Sequence, residues 1–122
     1  MLKKRLSRSP AWLSRAMKRL ETRLAALAAA GQTVTYGALA RELGLRMGEL
    51  TDALEALMED DARNGHPLRA ALCQGRLAGG QPAKGFFDKA AELGFDLSNP
   101  NAFVATQRAA LSAAARPATS GP

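Results

Sequence analysis

The fold of this chain is decided by residues 31–63, which read GQTVTYGALARELGLRMGELTDALEALMEDDAR. The first part favours a helix of about two turns, because Thr35 can cap its start, apolar residues share one face and Gly44 can end it. A short link then leads into a longer helix from about Met47 to Arg63, in which leucines recur at helical spacing. Two helices joined by a tight link that contains glycine indicate a helix-turn-helix unit.

A further helix is predicted before this unit. Ser9 is a favourable N-cap, Pro10 suits the first helical position, and Gly31 suits the end of the helix. Between them, leucine and methionine recur at steps of four and three residues, which predicts a helix with a narrow apolar stripe. Residues 33–35 favour a short strand between this helix and the next.

The segment after the helix-turn-helix unit is predicted to form a β-hairpin. Apolar residues alternate along residues 68–73, as they do in a half-buried strand. Gln74-Gly75 is a turn signal, and residues 76–78 can form a short return strand. Three helices followed by a hairpin is the order of elements in a winged-helix domain.

Two more helices complete the prediction. The fourth contains Phe86 and Phe87 and ends at Gly94, and the fifth begins at Ser98-Asn99-Pro100. The four phenylalanines of the chain are expected to anchor these two helices to the domain. We therefore predict an α+β fold: a small winged-helix-like domain of three helices and a short β-hairpin wing, with two additional C-terminal helices.

The composition of the 122 residues is that of a single globular domain, with 47% hydrophobic and 23% charged residues. The one cysteine excludes an intramolecular disulfide and favours a reducing compartment, so a cytoplasmic location is expected. No segment resembles a transmembrane helix or a signal peptide. We expect a basic flexible arm over residues 1–8, one domain over residues 9–115 and a disordered tail over residues 116–122.

Positive charge is concentrated near the amino end. Residues 1–24 contain eight lysines or arginines and one glutamate, whereas the rest of the chain carries a net charge of −1. Cations on the first helix and the wing could follow a phosphate backbone, which gives affinity that weakens with salt. Membrane insertion is not expected, because the apolar stripe of the first helix is needed for the core. The candidate nucleic-acid-binding residues are Arg5, Arg8, Arg15, Lys18, Arg19, Arg23, Tyr36, Arg69, Arg76 and Lys84.

The second helix of the helix-turn-helix unit has the opposite charge. Its exposed positions carry several carboxylates, which the phosphates lining a major groove would repel. This face is either an ordinary solvated surface or a docking surface for a protein, with Glu49, Asp52 and Glu59 as candidate partner-binding residues. Two functions stay open: nucleic-acid binding through the first helix and the wing, and a protein–protein adaptor that does not touch nucleic acid.

Part of the chain resembles a known family of DNA-binding proteins. Residues 31–40 with Leu43-Gly44 are similar to the start of the DNA-binding domain of alkylguanine-DNA alkyltransferases and alkyltransferase-like proteins. Residues 66–69 and 75–80 are similar to the Pro-Cys-His-Arg strand and the glycine-rich return of that family. The resemblance covers residues 20–90 and implies a winged-helix scaffold, with Tyr36 near the DNA backbone. The alternative for Tyr36 is a packing role against the first helix.

The departures from the family concern its chemistry. Leu68 stands where the nucleophilic cysteine of the family would be, and Arg69 stands where its histidine would be. Cys73 lies several residues further on and cannot take the same role. The resemblance therefore implies nucleic-acid binding without alkyl transfer.

No other motif in the sequence points to catalysis. Cys73 would need a base, which the single histidine, His66, alone could provide, and this pair does not form a convincing nucleophilic site. A zinc ion needs three or four ligands, and no Cys/His cluster exists. The glycines and lysine of residues 79–85 do not have the order of a phosphate-binding loop. We therefore predict no enzyme activity, no cofactor and no small-molecule substrate.

Overall fold

The computed structural model describes residues 10–115, which form a mostly helical chain with a small two-stranded sheet. In chain order the elements are α1 (Ala11–Ala30), β1 (Val34–Thr35), α2 (Tyr36–Leu43), α3 (Met47–Asn64), a 3₁₀ helix (Arg69–Leu72), β2 (Cys73–Gln74), α4 (Lys84–Glu92) and α5 (Pro100–Ala115). The five predicted helices are present, and the α+β class is confirmed. Ser9, the arm over residues 1–8 and the tail over residues 116–122 lie outside the described residues.

Helix boundaries follow the signals in the sequence. The Thr35 Oγ1 caps α2 by accepting a hydrogen bond from the Ala38 N–H at 3.2 Å. Gly31, Gly44 and Gly65 end the first three helices in the left-handed conformation, with φ between 67° and 71°. A side chain is strained at such φ values, so glycine suits all three positions. α1 itself begins one residue later than predicted, with Pro10 in the N-cap position.

The predicted hairpin is wrong. Residues 69–72 form a 3₁₀ helix, and β2 pairs in parallel with β1, with Val34 opposite Cys73 and Thr35 opposite Gln74. The chain reaches this parallel register by crossing over through α2 and α3, as parallel pairs require. Residues 76–78, predicted as a return strand, lie in a turn. Within residues 10–115 there is thus no β-hairpin wing.

The physical reason lies in the surroundings of the 3₁₀ segment. Residues 70–73 are all buried, so the apparent alternation of strand faces does not correspond to a solvent-facing side. Backbone groups of this segment bond to α5 side chains instead of to a second strand. The Leu68 N–H donates to Gln107 Oε1 at 2.7 Å, and Arg108 Nε donates to the Ala71 carbonyl at 2.7 Å.

The core joins α1, α3 and the 3₁₀ segment. Leu20 and Leu24 from α1 meet Leu50 and Leu57 from α3, and all four side chains are fully buried. Each such side chain stabilises the fold by about 1.5–3 kcal/mol relative to an exposed position.

The C-terminal half is held by aromatic contacts, as predicted. The ring centroids of Phe86 and Phe87 are 5.3 Å apart, and those of Phe95 and Phe103 are 5.4 Å apart. Phe86 also lies 6.3 Å from Phe103, which connects α4 to α5. This arrangement fixes α4 at the position where it forms one wall of the pocket described next.

Candidate functional site

A pocket of about 870 Å³ lies between α2, α3, α4 and the turn that follows β2. Its deeper part is apolar, because Leu54, Met58, Ala70 and Phe86 line it and are all buried. A volume of this size lies within the range of about 300–1,000 Å³ that is usual for small-molecule sites. α2, α3 and α4 together with this turn thus surround an open apolar pocket.

The mouth of the pocket carries positive charge. Arg41 from α2 and Arg76 from the turn after β2 line it, together with one carboxylate, that of Glu55. Both arginines are exposed, and neither forms an ion pair with another residue between positions 10 and 115. Their guanidinium groups are thus open to an anionic partner.

The backbone at the mouth is accessible as well. α2 and α4 both begin at the pocket wall, where Gly37 and Gly85 are lining residues. Apart from the chain neighbours of each glycine and the backbone of its own helix, no described atom lies within 4 Å of the position that a Cβ would occupy there. No side chain of the described residues caps α4. Helix N-termini carry a partial positive charge, so both helix starts add to the field of the two arginines.

Tyr36 forms part of the pocket wall. Its hydroxyl oxygen accepts a hydrogen bond from the Ala83 N–H at 3.0 Å, which connects the start of α2 to the start of α4. Burial raises the pKa of Tyr36 to about 12, so the phenol stays protonated at neutral pH. The contact places Tyr36 against the start of α4, whereas the sequence had left open a position near the DNA backbone and packing against the first helix.

Arg69 is not part of this surface, although we predicted it as a phosphate contact. Arg69 Nη2 lies 2.7 Å from Asp61 Oδ1, and the Arg69 N–H donates to Asp61 Oδ2 at 3.0 Å. The Asp61 side chain is 0% exposed. Burial alone would lower the pKa of Arg69, but its hydrogen bonds to Asp61 raise it, and the nearby Glu21 and Asp60 add to the rise. Arg69 thus neutralises a buried carboxylate.

The cations of α1 are divided between internal contacts and solvent. Arg19 Nη1 donates to the Leu43 carbonyl at 2.8 Å at the end of α2, and Arg23 pairs with Glu42 at 2.7 Å. Arg15 and Lys18 are exposed and make no ion pair with any described residue. Only part of the predicted basic surface on this helix is therefore available to a partner.

The remaining predicted cations lie apart from Arg69. Arg76 is at the pocket mouth. Lys84 is exposed at the start of α4, where it pairs with Asp88 at 2.7 Å, and it does not line the pocket. Arg5 and Arg8 are outside the described residues. The structure thus brings Tyr36 and Arg76 to one pocket, whereas Lys84 and the α1 cations do not line it.

The acidic side chains of α3 have mostly local partners. Glu49 Oε1 accepts a hydrogen bond from the Arg46 N–H at 2.8 Å and so caps its own helix. Glu59 pairs with Lys89 of α4 at 2.6 Å. Asp52 is exposed. Two of the three residues predicted to bind a protein partner therefore have structural contacts within the domain.

The sequence analysis missed Arg41, which lines the pocket, and two residues that bond to the neighbouring segment over residues 69–73. Arg41 could have been found, because it falls opposite the apolar face of α2 and must point to solvent. Asp61 could also have been found, because it continues the apolar stripe of α3. Nothing in the sequence marks Arg108, which donates to the Ala71 and Cys73 carbonyls at 2.7 and 3.4 Å.

Cys73 and His66 do not come together as a nucleophile and its base. Cys73 is fully buried, and burial raises the pKa of its thiol to about 12. His66 is exposed. Across residues 10–115, no cluster of three or more His, Cys, Asp or Glu side chains is arranged to hold a metal ion. No described helix is both long and apolar enough to cross a membrane.

A comparison of the chain with models of protein families, with curated proteins and with solved structures found no match. The similarity to alkyltransferase-like proteins thus stays a prediction from short motifs, and the functional argument depends on the geometry of the pocket.

Proposed function

We propose that this protein binds nucleic acid without catalysing a reaction on it, and that the pocket mouth between α2 and α4 is the principal contact. The observation that carries the proposal is the pair of open guanidinium groups, Arg41 and Arg76, at the mouth of an apolar pocket. Phosphates are suitable partners for such groups, since guanidinium offers paired donors that match phosphate oxygens.

The surroundings of the two arginines support a phosphate ligand. The starts of α2 and α4 lie at the same mouth, and helix N-termini favour anions. The open backbone at Gly37 and Gly85 lets a ligand approach closely. Within the pocket, the apolar residues and Tyr36 offer a surface on which a nucleobase could pack while its phosphates remain at the rim.

The acidic face of α3 argues against conventional reading of the major groove. Asp52 and Glu59 are exposed on α3, and Glu55 lines the pocket. Carboxylates on this helix would be repelled between two phosphate-lined walls. The proposal therefore places the nucleic acid across the pocket mouth, with α3 as one side of the pocket and not as a helix inserted into a groove.

The test compares two pairs of arginine and lysine residues of equal charge. Fluorescence anisotropy of labelled single-stranded and duplex oligonucleotides is measured over a range of salt concentrations for the wild type, Arg41→Gln/Arg76→Gln and Arg15→Gln/Lys18→Gln. We expect the first variant to reduce the slope of log K against log salt by about two, because each lost phosphate contact removes roughly one unit. The second variant, which removes the same charge from α1, should change the slope less.

Each contrary result has a definite meaning. If the α1 variant loses more affinity than the pocket variant, α1 is the interface and the pocket assignment is wrong. If the wild type binds neither oligonucleotide at low ionic strength, the protein is not a nucleic-acid-binding protein. Arg63→Gln is the control for a single charge, because Arg63 is exposed near the end of α3 and pairs with Asp60 away from the pocket.

A further inference from the structure

The pocket mouth has an apolar rim in addition to its charge. Two large hydrophobic side chains are exposed within residues 10–115: Met47, which is 49% exposed, and Leu77, which is 99% exposed. Met47 lines the pocket, and Leu77 directly follows Arg76, which also lines it. A single exposed leucine needs no explanation. Met47 and Leu77 together, at or next to one pocket with two arginines, indicate a surface that contacts an apolar part of the ligand.

Leu77 is held in a closed turn. The Gly75 N–H donates to the Gln81 carbonyl at 2.9 Å, and the Gln81 N–H donates back to the Ala78 carbonyl at 3.0 Å. A Cβ at Gly75 would lie 3.2 Å from Ala78 Cβ, so this turn packs tightly at its base. These hydrogen bonds hold the backbone of the turn, from which the Leu77 side chain extends into solvent.

We propose that Leu77 is an unstacking wedge that enters between adjacent bases when phosphates bind Arg41 and Arg76. Leucine is among the apolar side chains that insert between base steps and separate them. Because Arg76 and Leu77 are neighbours in one turn, a phosphate bound to Arg76 brings the base stack within reach of Leu77. This inference rests on the proposed nucleic-acid binding and defines its preferred ligand.

The preferred ligand is then a nucleic acid whose stacking is easily opened. Separating two stacked bases costs a few kcal/mol, and the cost is lowest at a mismatch or an unpaired base. A regular duplex pays the full cost. A duplex with a central mismatch should therefore bind more tightly than a fully paired duplex of the same flanking sequence.

The experiment uses two such duplexes with 2-aminopurine beside the central pair, since its fluorescence rises when it loses its stacking neighbours. We expect the wild type to prefer the mismatched duplex about tenfold and to raise the fluorescence at saturation. Leu77→Ala should lose the fluorescence rise and reduce the preference to about twofold or less, while its salt dependence stays that of the wild type. Leu77→Met, which keeps a long apolar side chain, should retain both properties.

The outcomes separate this inference from the proposed function. If Leu77→Ala binds and raises the fluorescence as the wild type does, the wedge is wrong and nucleic-acid binding stands. If the wild type binds neither duplex at low salt, the wedge is overturned. Nucleic-acid binding is overturned as well only if the single-stranded oligonucleotide also fails to bind. Leu77 is almost fully exposed, so its replacement should leave the fold intact, which circular dichroism of the variant checks.

Discussion

Arg69 and Arg76 both belong to the segment that follows α3, yet their surroundings are opposite. Arg69 lies against Asp61, a carboxylate with no solvent exposure, and bonds to it through backbone and side chain. Arg76 is exposed at the mouth of an apolar pocket and has no ion-pair partner among the described residues. From the sequence, both arginines were predicted to contact phosphates. In the structure, Arg69 has a structural role, whereas Arg76 is accessible to a ligand.

The difference shows that the position of a carboxylate decides which cations can bind a ligand. Residues 10–115 contain twelve lysines or arginines and eleven aspartates or glutamates, so their net charge is only +1. A cation that pairs with a buried carboxylate is not available to a ligand, because breaking the pair would leave the carboxylate charge buried and unpaired, which is costly. The open cations are then a small subset, and Arg41 and Arg76 belong to it.

The largest effect expected from this comparison is on stability. Arg69→Met leaves the buried carboxylate of Asp61 without its partner, and breaking a buried pair in this way costs about 3–5 kcal/mol. Arg76→Met removes the same charge from an exposed position and should change the free energy of unfolding by less than about 0.5 kcal/mol. Urea denaturation of the two variants measures both values, with the wild type as reference.

A double variant tests whether the cost comes from the orphaned charge. Asp61→Leu/Arg69→Met removes both members of the pair and should recover most of the lost stability, since an apolar replacement of a buried pair is often close to neutral. If the double variant is as unstable as Arg69→Met, the segment depends on the hydrogen bonds of Asp61 to the backbone and not on its charge.

An intermediate loss of stability is expected at Arg108, which donates hydrogen bonds to carbonyl groups instead of pairing with a carboxylate. Arg108→Met removes the donors that reach the Ala71 and Cys73 carbonyls in the buried segment, at a cost of about 1–3 kcal/mol. Arg15→Met, at an exposed position on α1, is the matched control. Equal unfolding midpoints for the two variants would show that Arg108 does not hold the 3₁₀ segment in place.

Much of the fold could be predicted because its signals are local. Thr35 caps α2 through its own hydroxyl, and Gly44 adopts a conformation that other residues avoid. Such features depend on a few neighbouring residues, so they can be recognised from the local sequence alone.

The segment over residues 69–74 could not be predicted because its structure is decided by distant residues. Its backbone is held by Gln107 and Arg108 from α5, and its strand pairs with β1. The alternation of side chains suggested a half-buried strand, but burial on all sides makes alternation uninformative.

The site was predicted only in part, because the availability of a cation also depends on residues that are distant in the sequence. Tyr36 and Arg76 were found from charge, loop signals and the resemblance, and both line one pocket. Lys84 was predicted with them but does not line it. Arg69 was misread because its availability depends on Asp61. Asp61 lies on the apolar stripe of α3, and this position indicates a buried carboxylate that needs a cation as its partner.

A smaller effect than at Arg69 or Arg108 is expected at Tyr36, whose hydrogen bond joins the start of α2 to the start of α4. Tyr36→Phe removes the acceptor of the Ala83 N–H and should lower the free energy of unfolding by about 1 kcal/mol at neutral pH. Burial raises the pKa of Tyr36 from 10.0 to about 12, so its contribution is complete below pH 10 and is lost as the pH rises towards 12, because the unfolded tyrosine ionises first. The stability advantage of the wild type over Tyr36→Phe should therefore shrink through this range. Cys73, whose thiol pKa burial raises to about 12, is present in both proteins and cancels in the difference. A difference that stays constant up to pH 12 would show that the Tyr36 hydroxyl ionises in the folded protein as readily as in the unfolded chain, and that the pocket wall around it is open to water.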